Sequence, residues 1–279
     1  MIFMLKNNFI RFLFSIVICF CFIGCEPEEE SFSLTIDFNH LIVPNVTNQE
    51  EIIYGNDNVL YSNEAGNAFS VRRLLYVLSD VVLYFDDAPA MDIGFLFINT
   101  DDAPTLQYTI ENLPGLCSGI SFRLGFSSKN NIDNEYLNSP NNFHNAMVWP
   151  NLNGTNLAFQ GGYHYMKLEG KYFDYYDYYE PDGTDTILVT PVYAFYNTHT
   201  GPTNAEDFSI LYPTFNFTPS SSISINMNVR NWYGSGNGLG LPLSSVYDMS
   251  YYGSGIMDNM EAQNILYQNG LNVFSVESE

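Results

Sequence analysis

Short stretches of alternating apolar and polar residues recur along this chain, each bounded by Asn, Asp, Gly or Pro. Phe32, Leu34, Ile36 and Phe38 alternate with polar neighbours, and so do Ile120, Phe122, Leu124 and Phe126. His164, Met166 and Leu168 oppose Tyr163, Tyr165 and Lys167; Ile223, Ile225, Met227 and Val229 oppose Ser224, Asn226 and Asn228. A period of two places successive side chains on opposite faces of a strand, so each stretch predicts a strand with one buried face. Strands at this spacing with no helices between them predict an all-β fold, an antiparallel β-sandwich.

Residues 71–85 are apolar nearly throughout, and Ser79-Asp80 reads there as a bulge or as a bend between two strands. The tail has a different pattern. Residues 256–268 are rich in Met, Ala, Glu, Gln and Leu, with Asn269-Gly270 as a stop, which predicts one short C-terminal helix. A strand-like Leu271-Asn272-Val273-Phe274 follows it. Residues 231–255 are rich in Gly, Tyr and Ser and read as a long surface loop.

The first residues do not belong to this pattern. Lys6 and Arg11 precede an apolar run, 12–23, that ends in Phe22-Ile23-Gly24-Cys25. That run is short for a membrane span, which takes about 20 apolar residues. Residues 1–24 therefore read as a signal peptide, and Phe22-Ile23-Gly24-Cys25 resembles a lipobox with Cys25 as the acylated residue. Lipid on Cys25 would anchor the chain in the outer membrane, facing the periplasm or the cell surface. Residues 25–31 form an acidic tether, whose Glu26-Pro27-Glu28-Glu29-Glu30 resembles the surface-export signal of Bacteroidetes lipoproteins. Residues 32–279 are the folded domain.

Removing the leader removes Cys19 and Cys21. With Cys25 lipidated, Cys117 alone remains and no internal disulfide can form, so the core must hold the domain together. Sixteen per cent aromatic residues, with 21 Tyr and 22 Phe, supply the area for it. Residues 25–279 carry 7 basic and 31 acidic residues, a net charge of −24. Such a field repels nucleic acid and favours cations.

The sequence contains no HExxH, no CxxC pair, no phosphate-binding glycine loop and no GxSxG elbow, and no catalytic pair suggests an enzyme. The 4 histidines are His40, His144, His164 and His199. Neutral imidazole is the commonest transition-metal ligand, so a metal reading rests on these residues. His144 lies in an Asn-rich loop, where a surface histidine is the plain alternative. His164 shares a predicted strand face with Met166 and Leu168, which suits a core or pocket-wall role or one beside a metal ligand. His40 ends the first strand as a surface residue or a neighbour of a site. Trp149 reads by itself as packed. Met147, Met166, Met257 and Met260 read as gap-fillers, and Asp182-Gly183-Thr184-Asp185 as a turn.

Several segments in order resemble the MbnP-like proteins. They are Phe69-Ser70-Val71-Arg72-Arg73-Leu74-Leu75-Tyr76-Val77-Leu78-Ser79-Asp80-Val81-Val82-Leu83, Ile110-Glu111-Asn112-Leu113-Pro114-Gly115, Met147-Val148-Trp149, Gly162-Tyr163-His164-Tyr165-Met166-Lys167-Leu168-Glu169-Gly170, and Asn269-Gly270-Leu271-Asn272-Val273-Phe274. The resemblance covers nearly all of the chain after the leader. It implies a copper site of two histidines and a tryptophan oxidised to kynurenine. On the motif spacing these are His144, His199 and Trp149, with His164 and His40 as possible neighbours. It further implies copper acquisition or buffering without turnover, and a di-haem peroxidase-like partner that oxidises Trp149. The competing reading is a glycan-binding or adhesive surface lipoprotein using Tyr172, Tyr175, Tyr176, Tyr178 and Tyr179. The leader motif carries its own test: Cys25→Ser should abolish lipid labelling and release soluble protein, and unchanged membrane fractionation would refute lipidation at Cys25.

Overall fold

The computed structural model describes residues 31–45, 48–55, 58, 61–179, 187–234, 246–253 and 255–279. The leader, Cys25, the acidic tether up to Glu30 and the Asp182–Asp185 turn lie outside them. Phe32–Glu279 form one unit.

The alternating stretches become strands in two sheets. β1 (Phe32–Asn45), β2 (Asn48–Glu51), β7 (Gln107–Leu113), β12 (Ser222–Asn228) and β13 (Phe274–Ser278) make the smaller sheet, in the order β13-β12-β1-β2 with β7 also paired to β1. The larger sheet runs β11-β8-β5-β9-β4-β3. It uses β3 (Tyr61–Ser62), β4 (Ala68–Phe69), β5 (Arg73–Phe85), β8 (Cys117–Leu124), β9 (Met166–Tyr179) and β11 (Ile210–Ser220). β6 (Met91–Asn99) pairs with β5, and β10 (Leu188–Thr200) with β9. All pairs are antiparallel except β1 with β12, which run parallel with Ile36 beside Ile223. The sandwich predicted from the sequence is thus the observed fold, with one parallel pair inside it.

Aromatic rings tie the two sheets together. Phe38 of β1 meets Tyr76 of β5 at 6.4 Å, and Phe274 of β13 meets Phe122 of β8 at 5.4 Å. Both are edge-to-face, the arrangement ring quadrupoles favour. Cys117 is a buried free thiol in the same core.

Strand β5 explains why residues 71–85 show no alternation. Leu74, Tyr76 and Leu78 enter the sandwich core, while Leu75 and Val77 enter a second cluster with Phe97, Phe126, Phe143, Met147 and Tyr163. Both faces of the strand are buried, so both must be apolar. At Ser79-Asp80 the register shifts and Asp80 adopts φ 50°. One extra residue reverses the facing of all that follow, and Val81, Leu83 and Phe85 point into the sandwich core. The bulge is held by Ser79 Oγ donating to the Gly125 carbonyl at 2.5 Å and by Arg123 on Asp80 at 2.8 Å.

Three sequence expectations shift. The C-terminal helix (Met260–Gly270) starts later, where Asn259 caps the Ala262 N–H, and it includes Asn269-Gly270. Asn269 is buried, its amide donating to the Trp232 carbonyl at 2.9 Å, so the final strand begins only at Phe274. The described part of 231–255 is no surface loop: Trp232, Tyr233, Tyr247 and Met249 are buried. Tyr233 sits against Phe69, Tyr196 and Tyr247, closing one end of the core with aromatic area.

His40 is a core residue, not a surface one. Its Nε2 pairs with the Tyr76 hydroxyl at 3.1 Å, and burial lowers its pKa from 6.5 to about 3. Unfolded chain then binds a proton below pH 6.5 that folded chain refuses, so His40 lowers stability as pH falls from 6.5 towards 3. His40→Phe should therefore show a shallower loss of unfolding free energy between pH 6.5 and 4 in denaturant titrations; an equal slope would place the imidazole in solvent.

Candidate metal centre

The outer face of the larger sheet, before the bulge, is covered by the segment 127–165. Within it a single helical turn, α1 (Phe143–Met147), follows Asn141 and Asn142, both with positive φ. Its end is bonded to the incoming strand: the Met147 carbonyl accepts from the His164 N–H at 2.7 Å and from His164 Nδ1 at 3.0 Å. Val148 bridges Tyr163, and the Trp149 N–H donates to the Gly162 carbonyl at 2.8 Å. This crossing sets the rings of Trp149 and His164 4.7 Å apart. On the other side, the Tyr165 N–H donates to the Thr200 carbonyl at 2.8 Å and joins the crossing to β10. His199 thereby comes to 5.1 Å from His164, ring centre to ring centre, at 88°.

Gly201 completes the contact. A Cβ there would lie 2.4 Å from two carbons of the Trp149 ring. Gly201, two residues after His199, is thus the floor on which the indole lies. Trp149 is fully buried, and its Nε1–H donates to the Ala158 carbonyl at 2.8 Å.

His164 is buried with no hydrogen-bond partner at Nε2. Burial first, then the nearby His199 and Lys167, lower its pKa to about 3 against the opposing pull of the Met147 carbonyl. The ring is therefore neutral at ordinary pH. Its Nδ1–H faces the carbonyl, and an unused lone pair remains on Nε2. A buried polar atom without a partner is costly unless it has a task.

Glu169 stands beside His199. Arg73 donates to it twice, from Nε to Oε2 at 2.5 Å and from Nη2 to Oε1 at 3.0 Å, and His199 Nε2 lies 2.9 Å from Oε1. Burial would raise the Glu169 pKa, but the hydrogen bonds of His199 and Arg73 and the Arg73 charge prevail and hold it at about 2. Lys167, its pKa lowered chiefly by burial, donates to the Ala146 carbonyl at 3.1 Å.

The structure thus brings two of the sequence-predicted ligands, His199 and Trp149, around His164. His144 is placed differently: its Nδ1 is 2.9 Å from the Tyr163 hydroxyl and its ring packs edge-on to Tyr163. Among the described residues no hydrogen bond or ring contact joins it to His199 or Trp149. His164 does not share the core face of Met166 and Leu168, because strand β9 begins only at Met166 and the preceding residues follow the α1 crossing. His40 contacts Tyr54 and Tyr76 and has no contact with this group. The sequence reading missed Arg73, Lys167 and Glu169. Their signal was charge on alternate positions of an otherwise apolar strand, where His199 pairs with Lys167 and Arg73 with Glu169.

Among the described residues no group of three or more His, Cys, Asp or Glu could hold a metal ion. The donors on offer are an imidazole pair. Two imidazoles bonded to one ion at about 2 Å have ring centres only a few ångströms apart, and the 5.1 Å between His164 and His199 fits. In the tyrosine-rich ribbon Tyr172 is buried and Tyr175, Tyr176, Tyr193 and Phe195 are exposed; Phe173 meets Tyr176 at 57° and Tyr193 at 76°.

The fold is a β-sandwich that carries a histidine pair and a buried tryptophan on the outer face of its larger sheet. The MbnP family model matches residues 31–250, and the chain belongs to this copper-associated family. Among solved structures it is similar to MbnP from Methylosinus trichosporium, at 11% identity and a TM-score of 0.48, over 88% of this chain and 98% of that one. No curated protein matches it.

Gly201→Ala should displace Trp149. The loss expected from overpacking is about 1–3 kcal/mol, with red-shifted tryptophan emission measured in a Trp232→Phe background. Unchanged emission and stability would mean that the indole does not lie on Gly201.

Proposed function

We propose that this protein binds one copper ion through His164 and His199 beside Trp149, and serves copper acquisition or buffering without turning over a substrate. The observation that carries this reading is the buried, unpartnered Nε2 of His164 next to a second imidazole. Membership of a copper-associated family supports the choice of metal, and imidazole nitrogen suits copper. Copper bound there would be held and released rather than used on a substrate.

Trp149 as tryptophan offers no lone pair, because the pair on the indole nitrogen belongs to the ring π system; its N–H donates to the Ala158 carbonyl. Oxidation to kynurenine, with cleavage of the indole C2–C3 bond and loss of the formyl carbon, would expose an aryl amine as a third nitrogen. That conversion needs an external oxidant, for which a di-haem peroxidase-like partner is the candidate. Anchoring through Cys25 would place the domain at the outer membrane, periplasmic or surface-exposed.

The test is copper titration of the protein and three variants against a competing chelator. His164→Ala and His199→Ala should each lose stoichiometric binding, while His144→Ala should keep it. Retained binding in His164→Ala together with loss in His144→Ala would move the site to the position first implied by motif spacing.

A further inference from the structure

The histidine pair is held very unequally. His164 is fixed by a backbone carbonyl, whereas His199 is fixed by a carboxylate that is itself clamped from the other side. Glu169 receives Arg73 through both oxygens and shares Oε1 with His199 Nε2. Arg73 and Glu169 are direct partners across β5 and β9, and His199 lies on neighbouring β10 opposite Lys167. All three side chains therefore stand on the outer face of the sheet, on adjacent strands.

Resting on the copper reading above, we propose that Glu169, locked by Arg73, is a positioning residue that fixes His199 as its Nε2–H tautomer and so leaves Nδ1 as the copper-binding nitrogen. A carboxylate only accepts, so the 2.9 Å contact requires the proton on Nε2. An Nε2–H imidazole has one lone pair, on Nδ1. His164 is the mirror case: the Met147 carbonyl requires the proton on Nδ1 and leaves Nε2. The two rings would thus ligate through different nitrogens, each chosen by the partner of the other nitrogen, as second partners of metal-bound histidines do elsewhere. The Arg73 clamp prevents Glu169 from turning to the metal itself, since both carboxylate oxygens are already taken. A structural ion pair between two strands would need only Arg73 and Glu169; the shared Oε1 is what adds His199 to it.

The test uses the whole domain labelled with 15N-histidine, read by long-range 1H–15N NMR without metal and with Cu(I), and copper affinity by chelator competition. In metal-free protein His199 should be a single Nε2–H tautomer, and Cu(I) should shift its Nδ1 and the Nε2 of His164. Glu169→Ala should turn the His199 signals to tautomer exchange and weaken copper binding about 10–100-fold, while Glu169→Gln, whose amide oxygen still accepts, should restore the single tautomer and most of the affinity. Copper on His199 Nε2, or a His199 Nδ1–H tautomer in the wild-type protein, would overturn the assignment even if copper binds. If wild-type protein takes up no copper, the metal reading fails on that result alone. The metal-free comparison of wild type with Glu169→Ala then still decides the positioning: a single Nε2–H tautomer that is lost with the acceptor supports it, and tautomer exchange already present in the wild type overturns it.

Discussion

The larger sheet is buried on both faces where β5 crosses it, and the rest of the molecule follows from that. One face packs on the smaller sheet through Phe38, Tyr76, Phe122 and Phe274. The other needs a cover for Leu75, Val77 and Phe97, and the segment carrying Phe126, Phe143, Met147 and Tyr163 supplies it. The cover exists to bury apolar area, at roughly 25 cal/mol per Å². It also meets the charged residues of this face, where Lys167 donates to its Ala146 carbonyl. Beyond the Ser79-Asp80 bulge the facing reverses, and these outward apolar positions of β5 end there.

Packing and chemistry are thereby linked at α1. Met147 places its side chain in the aromatic cluster and its carbonyl on His164. Tyr163 and His164 are consecutive, yet one ring stacks on Phe143 at 5.1 Å and the other meets Trp149 and His199. The cluster therefore positions His164 through its members Met147 and Tyr163. Low exposure keeps His164 neutral, and the clamp on Glu169 keeps a carboxylate charged close by. The neutral His164 ring therefore keeps an unprotonated Nε2 in a buried position.

The acidic balance of the chain acts at longer range. A net charge of −24 over residues 25–279 raises the local concentration of cations. Beside the histidine pair the charged side chains are Arg73, Lys167 and Glu169.

Local pattern determined much of the fold. Alternation in β1, β8 and β12 specified which residues meet in the sandwich, because a period of two is a property of the strand itself. The late helix and the family were also legible. What alternation could not give was the facing of residues outside regular strands. His164 precedes the start of β9, so the rule that grouped it with Met166 and Leu168 does not apply; its ring meets Trp149 and His199, while His144 meets Tyr163. Arg73, Glu169 and His199 come from three strands far apart in sequence, and their meeting depends on the register of β5, β9 and β10. Register is set by the packing of whole faces and by a bulge at one pair of residues. Only the tertiary structure, where those faces are filled, decides which nitrogen of which histidine is left without a partner.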